Sequence, residues 1–460
     1  MVEFDTLPDW LDRHHVDVVR TFATTLDGVG VGKYVHRNKF YKSLPKGHAI
    51  ADMALSMDLA GFPHVTFWHD QRLSTLGDMY MQPDLTTLIS DGTSSNLGHC
   101  ICDFVALDGE PVRICPRTTL KRMVNALGEA GYTMKATFEL EFFLYGESFE
   151  EISKKKYQDL VPITANKLNG IYRVRNSYQA TTFMDEVIKR MEWKGIGWEG
   201  WNDEAGVGQL ELNLEPSDPV HIADNVMRTK QILYEVACDM GMAVTFMPKP
   251  GEGYASGMHV HHSLWRDDEA AFYDAAAADK RSEMLLRWIG GLMKTLPGAV
   301  SYLSPTVNSY RRMVDFAAVP VAASWGEENK SASLRLITQS PAATRVEYRI
   351  GASDLNPYLA LAVMIAGGLA GLRHGLVAPD EFHNLAWGLP SAYERLPNTI
   401  SKAAEALAAD EYLAEVLGKD VVEYWIKSRE HEWLSFYTEG GDPESTAVSA
   451  WEYERYFAII

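Results

Sequence analysis

Four short segments hold polar residues whose types and spacing could do chemistry. In ATFELEFFLY, Glu139 and Glu141 alternate with Phe138, Leu140 and Phe142, so a strand there puts both carboxylates on one face and the apolar residues on the other. GQLELNLEP repeats the pattern with Gln209, Glu211 and Asn213, SGMHVHHSLW with His259 and His261, and TRVEYRI with Arg345, Glu347 and Arg349. Neighbouring carboxylates repel unless a cation lies between them. A solvated strand face would alternate too, but acids and histidines recurring on several such strands predict an acid-lined cavity and a metal-dependent active site.

The elements that must position these residues fall into an α+β pattern. Up to about Val112, short strand candidates such as TFWHD and HCICDFVAL are separated by the turn dipeptides Asp27-Gly28 and Asp108-Gly109, which predicts a small sheet-rich N-terminal domain over residues 1–112. From Pro116, RTTLKRMVNALGEAGY reads as an amphipathic helix ending near Gly131. The acidic strands follow, separated by helices such as Ala223 to Met240, so residues 113–460 form a second domain that carries most of the chemistry. Leu359 to Leu372, after Pro357, reads as a buried core helix, shorter than the roughly 20 residues of a membrane span. The tail reads as helices with charged faces: AAEALAADEYLAEVLG, VVEYWIKSREHEWLSFY and SAWEYERYF. GVGVGK at 28–33 lacks the Ser or Thr that completes a phosphate loop, and reads as strand and turn.

At 460 residues the chain exceeds one average domain, and its formal charge of -19 argues against nucleic acid as a partner. Cys100, Cys102, Cys115 and Cys238 lack zinc-site spacing and read as reduced thiols. The acidic opening MVEFDTLPDWLDRHH has no apolar signal region. Cytoplasmic location without membrane contact is the expectation.

Five signatures, in order, resemble the glutamine synthetase superfamily: the Glu-x-Glu strand at Glu139, EAGVGQLE at 204–211, GMHVHHS around His259, NSYRRMV with WGEENKSASLR, and TRVEYRIGASDLNPYLAL. The resemblance spans nearly the whole chain. It implies a β-grasp-like N-terminal domain, a catalytic domain built on a curved antiparallel sheet with surrounding helices, and a homo-oligomer of stacked rings, expected as a dodecamer. It further implies Mg2+ or Mn2+, with Glu141, Glu204 and Glu211 on one ion and Glu139, His259 and Glu347 on a second. Oxygen-rich ligation with one imidazole suits these ions better than zinc. ATP and L-glutamate are the implied substrates, joined to a nitrogen nucleophile through a γ-glutamyl phosphate. Arg335 and Arg345 match phosphate-contacting arginines. Arg312 and Arg349 match those holding the carboxyl groups of glutamate, and Glu141 lies beside that substrate. Arg335 and Arg312 are the expected catalytic residues. Lys330 stands where relatives have arginine, and His261 and Ser263 are placed near the nucleotide. For His261, direct ATP contact and a supporting hydrogen bond behind the metal are both open. An ion-pair ladder of Arg345 and Arg349 on Glu347 is the structural alternative for those arginines.

Three departures bear on the nucleophile. The ammonium-binding loop of the N-terminal domain is reduced to LSMDLAGF, with Asp58 as its one acid; the flap acid between Arg312 and Pro320 becomes Ala318 in RMVDFAAVP; and an Asn-Gly pair becomes Tyr254-Ala255. Losing the flap acid removes a base and leaves room, with Phe316 and Trp325 as a candidate apolar wall. The expectation is a glutamate:amine ligase acting on an alkylamine or arylamine larger than ammonia, in amine catabolism or detoxification. Substitution by Asp315, an ordinary glutamine synthetase, and a non-catalytic structural or sensing relative are the alternatives.

Overall fold

The computed structural model describes residues 3–64, 77–91, 96–164, 170–387, 394–443 and 445–459. The predicted strand TFWHD lies outside them. Within the described residues one sheet has six strands: β1 (Val18–Thr24), β2 (Gly30–His36), β3 (His48–Ala51), β4 (Asp78–Pro83), β5 (Ile89–Ser90) and β6 (Leu97–Val105). Its order is β2-β1-β6-β4-β3, with β1 and β6 parallel and β5 on β6. GVGVGK thus leads into β2 as strand and turn.

The second sheet has nine strands: β7 (Thr133–Tyr145), β8 (Trp198–Asp203), β9 (Gln209–Leu214), β10 (Ala243–Thr245), β11 (Met258–Arg266), β12 (Glu269–Ala270), β13 (Trp325–Glu327), β14 (Leu334–Ile337) and β15 (Arg345–Tyr348). The main order is β13-β14-β15-β11-β7-β9-β8, antiparallel except for β13 with β14. Alternation divides it into two faces. Phe138, Leu140, Phe142, Leu210, Leu212 and Val260 join the main hydrophobic core, while the predicted acids and histidines occupy the other face.

Helices run in chain order as α1 (Leu7–Arg13), α2 (Arg37–Ser43), α3 (Pro116–Glu129), α4 (Phe149–Lys154), α5 (Val174–Trp193), α6 (Pro219–Asp239), α7 (Glu283–Leu303), α8 (Pro357–His374), α9 (Ile400–Ala408), α10 (Glu411–Leu417), α11 (Lys419–Thr438) and α12 (Ala450–Tyr456). The central one is α8. Its start is fixed by Pro357 and by the Asn356 side chain, which accepts from the Tyr358 and Leu359 amides, and it ends at Gly375 with φ 62°. Every residue from Pro357 to Gly371 is buried, as a helix apolar on all sides requires. Asn356 also donates to the carbonyls of Thr25 and Leu26, tying this helix to the loop after β1. The helix start at Pro116 and the core helix fall where the sequence places them. One difference is that AAEALAADEYLAEVLG forms two helices, because the Asp410 carboxylate accepts from the Leu413 amide and caps a new start. The cysteines are free thiols. Among the described residues no helix is long and apolar enough to cross a membrane.

Candidate active site

Register converts four separate alternations into one cluster. Glu139 on β7 lies opposite Asn213 on β9 and His259 on β11; Glu141 lies opposite Glu211. On the other side of β11, His261 lies opposite Glu347 on β15, which in turn faces Arg335 on β14. Glu204 completes the set from the turn after β8, its carboxylate accepting from the Ala205 amide at 2.9 Å.

Both histidines converge on Glu139. His259 Nδ1 lies 2.9 Å from one oxygen and His261 Nε2 2.9 Å from the other. Arg345 Nε donates to His261 Nδ1 at 3.3 Å, so the proton of a neutral His261 sits on Nε2 and points at Glu139. His261 thus lies between Glu139 and Arg345, hydrogen-bonded to both. His259 also lies 3.7 Å from Glu347 and, through Nε2, 3.8 Å from Glu141. The Glu141 carboxylate accepts from the Gly257 amide at 2.7 Å and from the Gln209 side chain at 3.0 Å.

The carboxylates are unequal. Burial raises Glu139, but its hydrogen bonds to His259 and His261 hold it well below the usual range. Burial likewise raises Glu347, and Arg349, His259 and His261 outweigh it. Glu204 is pushed up to about 7 by burial and by Glu141. Glu211 is raised further by burial, Glu139 and Glu141. Two buried acids that resist ionisation beside two others are the electrostatic mark of a site built around cations. Possible donor atoms of Glu139, Glu211 and His259, and those of Glu139, His261 and Glu347, group within 4.8 Å of one another. The first grouping draws on both expected ligand sets, and the second joins two members of one set, Glu139 and Glu347, with His261. The donors fit divalent Mg2+ or Mn2+: Glu139, Glu141, Glu204, Glu211 and Glu347 would hold them with His259. Bound there, the ions offset the charge of phosphate groups.

Of the basic residues, Arg335 bridges Glu328 and Glu347, Arg349 pairs with Glu347, and Arg345 turns to His261 and the Ala343 carbonyl. The ladder on Glu347 therefore consists of Arg335 and Arg349, not Arg345. Arg312 is buried, donates to the Ile350 carbonyl at 3.1 Å, and keeps a buried Nε without a partner among the described residues. A Cβ added at Gly257 would come 3.0 Å from Arg312 and 3.3 Å from Glu141, which places all three together. His261, Ser263 and Arg345 line a cleft of about 640 Å³ that reaches Glu139. Lys330 is exposed and does not line it.

The apolar wall is corrected. Phe316 is 71% exposed on a turn, whereas Trp325 is 3% exposed, donates its indole N–H to the Pro379 carbonyl and lies under the Arg281 guanidinium. Trp325 packs in the main hydrophobic core. Ala318 is exposed with φ 62°. Two residues escaped the sequence reading. Glu328 holds Arg335 from a left-handed turn, and Tyr172 lies close enough to the cluster that burial and the charges of Glu204, Glu211 and Glu139 raise its hydroxyl pKa. Neither sits on an alternating strand, so neither left a local signal.

Residues 113–456 match the glutamine synthetase catalytic domain. The chain belongs to the glutamine synthetase family. A glutamine synthetase of Thermus thermophilus is 32% identical over 83% of this chain and 85% of that protein. A glutamate–isopropylamine ligase of a Pseudomonas species is 29% identical over 98% and 97%. The solved structure of ligand-free GmaS superposes with a TM-score of 0.81 at 24% identity, covering 96% of this chain and 97% of that one. As a member of the glutamine synthetase family the chain is an ATP-dependent ligase using Mg2+ or Mn2+. The α+β fold with its curved sheet is the family's.

Proposed function

We propose that this ligase joins the γ-carboxylate of L-glutamate to an amine larger than ammonia, an alkylamine or arylamine. The observation that carries the reading is the state of the flap between Arg312 and Pro320. Its one acid, Asp315, is paired with Arg395, and Ala318 offers no carboxylate. Asp58, the remnant of the ammonium loop, is equally committed: it accepts from Arg455 at 2.9 Å and from the Ala60 and Phe62 amides. With neither acid available, ammonium loses its counter-charge and its base. An arylamine, neutral at pH 7, needs neither. The near end-to-end similarity to a ligase named for isopropylamine supports the same direction.

In this reading Arg312 and Arg349 hold the carboxylates of glutamate, for which a planar guanidinium fork is suited. Arg335 and Arg345 offset the charge of the transferring phosphate, and Lys330, exposed, adds charge at the rim. The γ-carboxylate oxygen attacks the terminal phosphorus and ADP leaves. An alkylammonium first loses a proton to solvent, whereas an arylamine is already neutral; the amine nitrogen then attacks the acyl carbon, the C–O bond to phosphate breaks, and the nitrogen sheds a further proton to solvent. Tyr172, beside Glu204, Glu211 and Glu139, borders the amine's approach. Cytoplasmic work in amine catabolism, a division at residues 112/113 and stacked rings of subunits, twelve by family analogy, belong to the same proposal.

The experiment compares ATP-dependent phosphate release with glutamate and Mg2+ for ammonium, methylamine, isopropylamine, a polyamine and aniline, confirming products by mass. Higher kcat/KM with a hydrophobic amine is expected. Preference for ammonium would instead make the chain a glutamine synthetase, and no turnover with any amine would favour a structural role.

A further inference from the structure

Away from the acid cluster, a second cavity of about 360 Å³ lies between β1, β2 and helix α6. Among the described residues five cationic side chains line it, Arg20, Lys33, Lys194, Arg228 and Lys230, and no Asp or Glu side chain does. Two of the five are neutralised from behind: Arg20 by Glu235 and Lys194 by Asp91. Of the other three, Lys33 donates to the Ala49 carbonyl, Arg228 to that of Thr87 and Lys230 to that of Ser353, with the Lys230 ammonium also 4.6 Å over the Phe246 ring. Arg228 is 7% exposed, and its Nε is a buried donor with no partner among those residues. Burial pushes Lys230 down to about 8, with Asp354 opposing only in part. In a chain of formal charge -19 this gathering of positive charge stands out, and Asp224 and Asp354 offset Arg228 and Lys230 only in part.

The rest of the lining is apolar and backbone. Phe22, Val29, Met227, Val244 and Phe246 form walls, and Gly28, Gly30 and Gly32 of the GVGVGK segment leave the edge of β2 without side chains. Gly32 is obligatory, since a Cβ there would lie 1.9 Å from the Thr21 carbonyl oxygen. A volume of this size falls in the range of small-molecule sites, and apolar walls with a few convergent polar groups are their usual make-up. A fully hydrated ion such as phosphate would leave those walls unused.

We propose that this cavity binds a small organic anion with a carboxylate head and an apolar, ring-sized body, at a site separate from the catalytic cluster. The head meets Arg228, Lys230 and Lys33, and the body packs on Phe22 and Phe246. The inference is independent of which amine the active site uses.

The test is a calorimetric titration of the full-length protein with 2-naphthoate, in saturating glutamate and ADP so that the catalytic arginines are occupied. Inorganic phosphate is titrated in parallel. One saturable site per chain for naphthoate is expected, weakened at least about tenfold in both Lys33→Glu and Lys230→Met. Lys33 is exposed, so its variant tests charge without risking the fold. Absence of saturable binding, displacement by glutamate, preference for phosphate, or weakening in Lys230→Met alone would each overturn the proposal.

Discussion

Glu211 carries a raised pKa because burial, Glu139 and Glu141 all oppose its charge. Replacing it by Gln removes that repulsion while keeping the shape, so Glu211→Gln should leave the metal-free protein at least as stable as the parent. The gain in Tm on adding Mg2+ should fall sharply, since a donor of the cation site is lost. Calorimetry with and without Mg2+ reads both; an undiminished gain would remove Glu211 from the ligand set. At Ala318 the proposed amine preference can be reversed. Ala318→Glu restores a carboxylate on the flap and should raise kcat/KM for ammonium relative to isopropylamine by at least about tenfold, a conservative fraction of the roughly 10²–10⁴-fold that a general base contributes. With φ at 62° the parent Ala already carries roughly 1–2 kcal/mol of backbone strain, and Glu brings a longer side chain to the same flap position. The ratio of the two substrates, rather than absolute activity, is therefore the quantity to follow, and an unchanged ratio would count against the flap argument.

At the scale of elements, what the sequence makes legible is whatever is local. Alternation in β7, β9, β11 and β15 is a property of consecutive residues, and so is the apolar run of α8. Register is not. That His261 meets Glu347, and that Arg335 faces the same acid from β14, follows from pairing among strands as many as 86 residues apart in sequence (347 minus 261). The burial of Trp325 is non-local in the same way: proximity to Phe316 in sequence says nothing about how β13 packs its ring into the core. Helix pairing is another non-local matter. Helices α7 and α8 approach through glycines, and a Cβ on Gly371 would lie 2.2 Å from the Arg287 carbonyl oxygen and 2.8 Å from the Gly291 nitrogen. Backbone cannot yield as a flexible side chain can. Gly371→Ala should therefore cost about 1–3 kcal/mol despite its better helix propensity. Urea unfolding measures the difference, and a variant as stable as the parent would mean that the two helices can separate without penalty.

Across the whole molecule, the two sheets are tied by buried ion pairs. Arg117 at the start of α3 meets Asp84 and Asp103 of the first sheet's segment and Asp224 of α6, while Arg455 of α12 meets Asp58 and Glu432. Burial raises Asp84, but the Thr86 hydroxyl, Arg117 and Lys121 bring it down to about 2. Its contribution to stability is complete above its unfolded value near 4 and is lost as pH falls through 2. His48 acts at milder pH. Buried, and pushed down to about 4 by that burial and by Lys39 and Lys33, it stays neutral in the fold, its Nδ1 2.8 Å from the Ser43 hydroxyl. The unfolded chain takes up that proton first, near pH 6.5, so stability should already decline between pH 6.5 and 4. His64, also pushed down to about 4 by burial, adds to the same phase. His48→Gln removes one titrating group and should shrink, without abolishing, the fall in Tm between pH 7 and 5, while leaving the steeper loss below pH 4 to Asp84 and its neighbours. Thermal unfolding at pH 7, 5 and 3 separates the two phases. An equal fall between pH 7 and 5 in variant and parent would show that His48 ionises alike in the folded and unfolded chain, and that the mild-acid phase originates elsewhere.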